Sequence, residues 1–318
     1  MQDRASTSGQ PHVTADNVLL LQARPGDRCA GVKEEKMDII PGKVGIWTFD
    51  FDQQPMAQVR EEVAELEALG YGAIWIPEVA GREALTHAAV LLAATHRMVV
   101  ANGVARIAER TPRAMVAAQQ TLAAAYPGRH LLGLGLGGIS QLEVMRTYLD
   151  GMDGIALVTP KPAFQPVRVL AAYGPAMLKL AAERSAGAHT YKVTAQHTAD
   201  ARQLLGPEAF LAVEHAVVLE TDPHKARRIA RAHLETYLRL PAHLAKFRRL
   251  GFTDDDFAAG GSNRLVDALV AWGNMEDVLA KLQAHFEAGA DHVCIQVLGS
   301  EPASPMQAWR ILAKALLH

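Results

Sequence analysis

A carboxylate, a histidine and three glycine-containing turns carry most of the chemistry legible in this 318-residue chain. Glu78 stands in Pro77-Glu78-Val79-Ala80-Gly81-Arg82-Glu83, just after a short apolar run. A carboxylate there can serve as an acceptor or general base; it can equally cap the next helix or pair with Arg82. His189 can donate a hydrogen bond or a proton to a bound substrate, or sit in the core as a structural histidine. Asn102-Gly103-Val104-Ala105-Arg106 sets small residues beside a cation, which would admit a flat cofactor ring or fill a tapered barrel.

The other two turns are candidates for anions. In Leu170-Ala171-Ala172-Tyr173-Gly174-Pro175-Ala176-Met177 a strand ends in Gly and a helix opens at once with Pro. Free amides at that helix start, reinforced by the helix dipole, would face a phosphate; a tight strand-to-helix turn with no ligand reads the same. Gly133-Leu134-Gly135-Leu136-Gly137-Gly138 satisfies Gly-x-Gly-x-x-Gly. A dinucleotide fingerprint requires a second strand ending in an acid, and Ala156-Leu157-Val158-Thr159-Pro160 supplies none. These glycines, Gly135 among them, read instead as room for a ligand at a barrel rim. The 13 histidines form no His-Glu-x-x-His pattern, so no metal site is expected.

The elements that position these residues alternate regularly from Lys43 onward. Strands are predicted at Val44–Trp47, Ala73–Pro77, Met98–Val104, Leu131–Leu136, Arg168–Ala172, Ala188–Val193, Leu211–Leu219 and His292–Val297. Helices follow them, for example Gln54–Leu69, Glu83–Ala94, Gln141–Met152 and Pro175–Arg184, and the last covers Met306–Leu317. Eight strands, each followed by helix, predict an α/β fold: a parallel sheet closed into a (β/α)8 TIM-like barrel. The section from about 237 to 272, broken by Pro241, Gly251 and Gly260-Gly261, reads as a helical insertion before the last unit. Residues 1–40 are polar and aperiodic and read as a flexible extension outside a single barrel over 41–318; Met37 is a candidate natural start.

Composition narrows the function classes. Lys plus Arg number 32 against 34 Asp plus Glu, so no global positive charge draws nucleic acid or anionic lipid. The longest apolar run, Ala88 to Ala94, has seven residues, far short of a bilayer span. Cys29 and Cys294 alone exclude a disulfide framework. No secretory signal surrounds Val18–Leu21, and a cytoplasmic location is expected.

Taken together, the segments resemble the luciferase-like monooxygenase superfamily, in its branch of oxidoreductases dependent on the deazaflavin coenzyme F420. The resemblance rests on Gly45-Ile46-Trp47-Thr48-Phe49, Leu69 through Glu78, Ala125-Tyr126-Pro127-Gly128-Arg129 with Leu132-Gly133-Leu134-Gly135, Gly174-Pro175 and Met177 with Leu180 through Arg184, and Ala288 through Val293. It implies a barrel of the bacterial luciferase type, often homodimeric, with the cofactor at the C-terminal strand ends and a hydride passing between F420 and a small organic substrate. An FMN- and O2-dependent monooxygenase is the alternative within the superfamily, and a catalytically silent barrel acting as a binding or oligomer partner the alternative outside catalysis. The resemblance implies that Glu78 and His189 handle protons. It also implies that Ala105 and Arg106 lie at a backbone bulge, often a non-prolyl cis peptide, against the cofactor ring, and that Gly174, Pro175 and Met177 hold the phosphate. The chain departs from the family pattern in Val79, in Arg106 in place of Asn, in Ala176 at the Lys position of Gly-Pro-Lys, and in a shortened loop after Gly135.

Overall fold

The computed structural model describes residue 39 and residues 41–137, 142–299 and 304–317. The expected extension apart from Ile39 and Pro41 onward, including Met37, lies outside the described residues, as does the segment 138–141 of the loop after Gly135.

Short, mostly buried runs become parallel strands, because each run must pack on both faces. They are β1 (Val44–Trp47), β2 (Ala73–Ile76), β3 (Val99–Asn102), β4 (Ala105–Arg106), β5 (His130–Gly135), β6 (Val167–Ala171), β7 (Gly187–Thr190), β8 (Phe210–Val218), β9 (Val270–Trp272) and β10 (His292–Val297). The order β10-β1-β2-β3-β5-β6-β7-β8 is closed by pairing of β10 with β8, with Val293 opposite Val213 and Ile295 opposite His215. All pairings are parallel, and eight strands form the closed barrel; β4 extends β3 along β5, and β9 lies on the outer end of β8.

Side chains alternate across the wall with the strand period of two. Ile46, Ile74, Val100, Leu132, Leu170 and Ile295 face outward into the layer shared with the helices. Trp47, Trp75, Ala101, Leu131, Val169, Ala212 and Cys294 fill the interior. Trp75 stacks on His189 at 4.4 Å and donates from Nε1 to His292 Nε2 at 3.0 Å, and His292 Nδ1 meets the Gly42 carbonyl at 2.8 Å. The barrel is therefore a packed core from its lower end up to His189.

The helices that bear on the site are α1 (Met56–Ala68), α2 (Ala84–Ala93), α3 (Pro112–Ala125), α4 (Leu142–Asp153), α5 (Pro175–Arg184), α6 (Ala195–Leu205) and α7 (Pro223–Glu235). Between α7 and β10 stand α8 (Pro241–Arg249), α9 (Asp254–Phe257), α10 (Asn263–Leu269) and α11 (Met275–Glu287), and α12 (Met306–Leu316) ends the chain's described part. Phe247, Leu265, Val266 and Leu269 bury a separate apolar cluster against Leu234 and Val218. The helical section expected over 237–272 thus ends in a strand, Val270–Trp272, because these residues find an open edge beside Ala216–Val218. Among the described residues no helix is long and apolar enough to cross a membrane.

Burial holds several core histidines neutral. His87, His130, His285 and His292 are pushed down to about 4 by desolvation, and His215, hydrogen-bonded through Nδ1 to His285 Nε2 at 2.9 Å, lies well below the usual range. Below the ordinary histidine value of 6.5 the unfolded chain takes up protons that the folded chain refuses. Stability is then full above about 6.5 and falls as pH drops toward 4. The melting temperature, followed from pH 7.5 to 4, is expected to decline steeply through that interval; a flat profile would contradict neutral burial.

Candidate active site

At the C-terminal end of β3 the backbone leaves the barrel wall at a cis peptide between Gly103 and Val104. The bulge needs space on both sides, and glycine provides it. A Cβ on Gly133 would stand 2.0 Å from the Asn102 carbonyl oxygen, and one on Gly135 would stand 2.2 Å from Val104 Cγ2. The glycines of the Gly-x-Gly-x-x-Gly run that fall in the described residues therefore accommodate the β3 bulge across the sheet. A Cβ on Gly103 would itself meet Trp47 Nε1 at 2.6 Å and His189 Nε2 at 3.4 Å. Among the described residues Trp47 Nε1 is buried without a partner, and the His189 ring nitrogens have only an approach to the Ala212 backbone that falls short of hydrogen-bond geometry. Burial and the neighbouring His292 push His189 down to about 3, so it is a neutral ring at physiological pH. Buried donors left unpaired are costly, and these converge on the one residue of the bulge that has no side chain.

Glu78, buried just beyond β2, braces this bulge. It accepts from the Arg106 amide at 2.7 Å and from the Ala84 amide at 3.2 Å, and it forms a two-pronged ion pair with Arg110. The carboxylate thus takes the first amide of α2, whose N-cap is Glu83, accepting from the Leu85 and Thr86 amides. Its cation is Arg110 from the segment after β4, whereas Arg82 binds the Phe51 and Gln54 carbonyls. Ala105 is buried where β4 pairs with Leu134, and Arg106 pairs with Glu109 at 3.1 Å while its Nε lies against Gly137.

Three strands round the mouth, α5 opens at Gly174 with Pro175 in its first turn and no side-chain cap. The first-turn amides of Ala176 and Met177 precede the intrahelical ladder and are available to an anion. Ala176 brings no charge, but the Arg249 guanidinium, from the last turn of α8, would lie 3.9 Å from a Cβ on Gly174. Nearby, His197 Nε2 meets the Tyr173 carbonyl at 2.8 Å, and Lys246 stands over the Tyr173 ring at 4.7 Å. Sequence reasoning missed Arg249 and Lys246. Their only local signal was three-residue spacing on one helix face.

A glycine-lined cis bulge, a neutral histidine under it and an anion-ready helix start thus share one end of a closed parallel barrel. Residues 43–150 match the family model for luciferase-like monooxygenases. The match runs from β1 into α4. Rv3520c of Mycobacterium tuberculosis, which is named as a coenzyme F420-dependent oxidoreductase, is 33% identical over 101 residues. That match spans 32% of this chain and 29% of the relative's length. Among solved structures, an F420-dependent secondary alcohol dehydrogenase with an F420-acetone adduct superposes with a TM-score of 0.66, at 14% identity, over 86% of this chain and 98% of its own. The coenzyme F420-dependent tetrahydromethanopterin reductase of Methanopyrus kandleri gives 0.65 at 15% identity, with the same coverage of both chains. An FMN-bound type II Baeyer-Villiger monooxygenase component from Pseudomonas putida gives 0.63 at 17% identity, over 86% of this chain and 96% of its own.

In this barrel Glu78 is committed to four contacts and holds the bulge. Glu78→Ala would leave Arg110 buried without its main partner and strip the Arg106 and Ala84 amides of theirs. It is expected to lower stability by about 3 kcal/mol, read from the midpoint of urea unfolding, with Glu78→Gln recovering part of the loss; an unchanged midpoint would show that the brace is dispensable.

Proposed function

We propose that the chain is an F420-dependent oxidoreductase moving a hydride between the deazaflavin and a small organic substrate. The observation that carries this reading is the pairing of unpaired Trp47 and His189 nitrogens over Gly103 with a positively charged helix start at Gly174. A flat ring fits the first and a phosphate the second. Trp47 Nε1 would donate to a polar edge of the ring, and the side-chain-free surface of Gly103 lets the ring approach the backbone. Ala105 and Gly135 keep that surface shallow, while Gly174, Pro175 and the Met177 amide, with Arg249, hold the phosphate end.

Bound F420 supplies or accepts the hydride; the protein's part is orientation, exclusion of water and management of one proton. His189, neutral and buried, serves as a hydrogen-bond partner, and Glu78 acts by positioning the bulge. The sequence similarity to Rv3520c and the fold shared with two F420 enzymes support this reading.

Fluorescence titration of the purified protein with F420, beside FMN at matched concentrations, tests it. Saturable F420 binding is expected. Arg249→Ala should weaken it about tenfold, the loss of one charge-assisted contact, and adding Ala176→Lys should restore much of the affinity. Tight FMN binding without F420 binding would instead indicate an FMN- and O2-dependent monooxygenase, and binding of neither a silent barrel.

A further inference from the structure

The oxidoreductase reading leaves one buried cluster at the barrel mouth without a role. Lys192, in the turn after β7, is only 1% exposed. Its backbone takes a left-handed conformation, φ 54°, uncommon for a residue with a side chain. Glu214, on the inner face of β8, accepts the Lys192 amide at 2.9 Å and holds it there. The ammonium is thereby aimed inward, where Nζ donates to the Tyr191 hydroxyl at 2.9 Å and contacts His233 Nε2 on α7. The Tyr191 hydroxyl also meets the Tyr237 hydroxyl at 2.9 Å and Gln296 Oε1 at 3.2 Å. The Tyr191 ring packs on Trp47 at 4.8 Å, so the phenol belongs to the same mouth as the hollow over Gly103. His233 on α7 is partly exposed, so the far end of the chain of contacts approaches solvent beside α7.

We propose that Tyr191, Lys192 and His233 form a proton path from the barrel mouth to the surface of α7, which serves a substrate whose reduction builds negative charge on oxygen. A carbonyl compound is the matching class. Its carbon gains a C–H bond and two electrons from the hydride that reduced F420 supplies, leaving the cofactor oxidised. The C=O double bond becomes single, and the oxygen takes the Tyr191 phenol proton. The phenolate recovers a proton from the Lys192 ammonium, and the amine is recharged through His233 from solvent. Oxidation of an alcohol runs the same transfers in reverse.

The surroundings suit this use. Desolvation pushes Lys192 down to about 7, where an amine can both give and accept a proton at neutral pH. Burial and Lys192 hold His233 well below its usual range, so it rests as a neutral ring that takes a proton on one nitrogen and releases one from the other. The other titratable groups facing the cluster are Glu214 from β8, Tyr173 after β6, Tyr237 after α7, and His243 and Lys246 from α8. Lys246 is tied through Nζ to the Tyr191 carbonyl at 2.8 Å, so it steadies the turn without joining the path.

The substrate assignment rests on the oxidoreductase reading; the path itself does not, and can be tested without cofactor. In the full chain labelled with 13Cζ-tyrosine, the hydroxyl exchange rate of Tyr191 is read from the deuterium isotope shift, its resonance being identified by loss in Tyr191→Phe. His233→Gln keeps a neutral acceptor of similar reach but cannot relay a proton at neutral pH. Exchange is expected to slow about tenfold or more in His233→Gln and in Lys192→Met. A wild-type rate in folded His233→Gln would overturn the path, and that variant decides the matter alone should Lys192→Met not fold. F420 titration of the same proteins separates the two ideas. Slowed exchange without F420 binding removes the oxidoreductase reading and the carbonyl substrate, while F420 binding with unslowed exchange removes the path alone.

Discussion

The departure of the β3 backbone from the barrel wall at Gly103-Val104 is the constraint around which the mouth is organised. It requires a neighbouring strand without side chains at two positions, met by Gly133 and Gly135 on β5. It also requires an acceptor for the amide that the bulge turns away from the ladder, met by Glu78 on the other side. A buried carboxylate there needs its own cation, and Arg110 follows. One local backbone choice thus commits residues from three successive strand-helix units, with Glu78 bridging two of them.

Below this level the interior is closed by Trp75, His189 and His292, an aromatic and imidazole column running from the Gly42 carbonyl up to Gly103. Polar rings are tolerated there because most find a partner within the column and because desolvation keeps them uncharged. Trp47 and His189 are the exceptions in the described residues, and both lie beside Gly103.

The section between α7 and β10 adds what the barrel alone lacks. Its own apolar cluster, centred on Phe247, fixes α8 beside the end of β8. From that helix come Lys246, which binds the Tyr191 carbonyl, and Arg249, which faces Gly174. A charge absent at Ala176 is regained from a distant helix, and the polar cluster of Tyr191, Lys192 and Glu214 is covered. This insertion is therefore part of the mouth.

The sequence by itself determined the barrel: eight apolar runs separated by amphipathic helices admit few other closures, since period and burial are local properties of the chain. It also marked Gly174-Pro175 and the small residues around Ala105, because a helix start and a missing side chain are written in residue type. Which partner each polar group meets was decided only by the tertiary structure. Arg110 for Glu78, Arg249 for the Gly174 turn, and His233 for Lys192 all come from elements far along the chain, brought near by closure of β10 on β8 and by the docking of α7 and α8. The edge pairing that made Val270–Trp272 a strand belongs to the same class, since an edge exists only after the sheet does. Electrostatic partnership depends on distance in space, and a single sequence encodes distance along the chain.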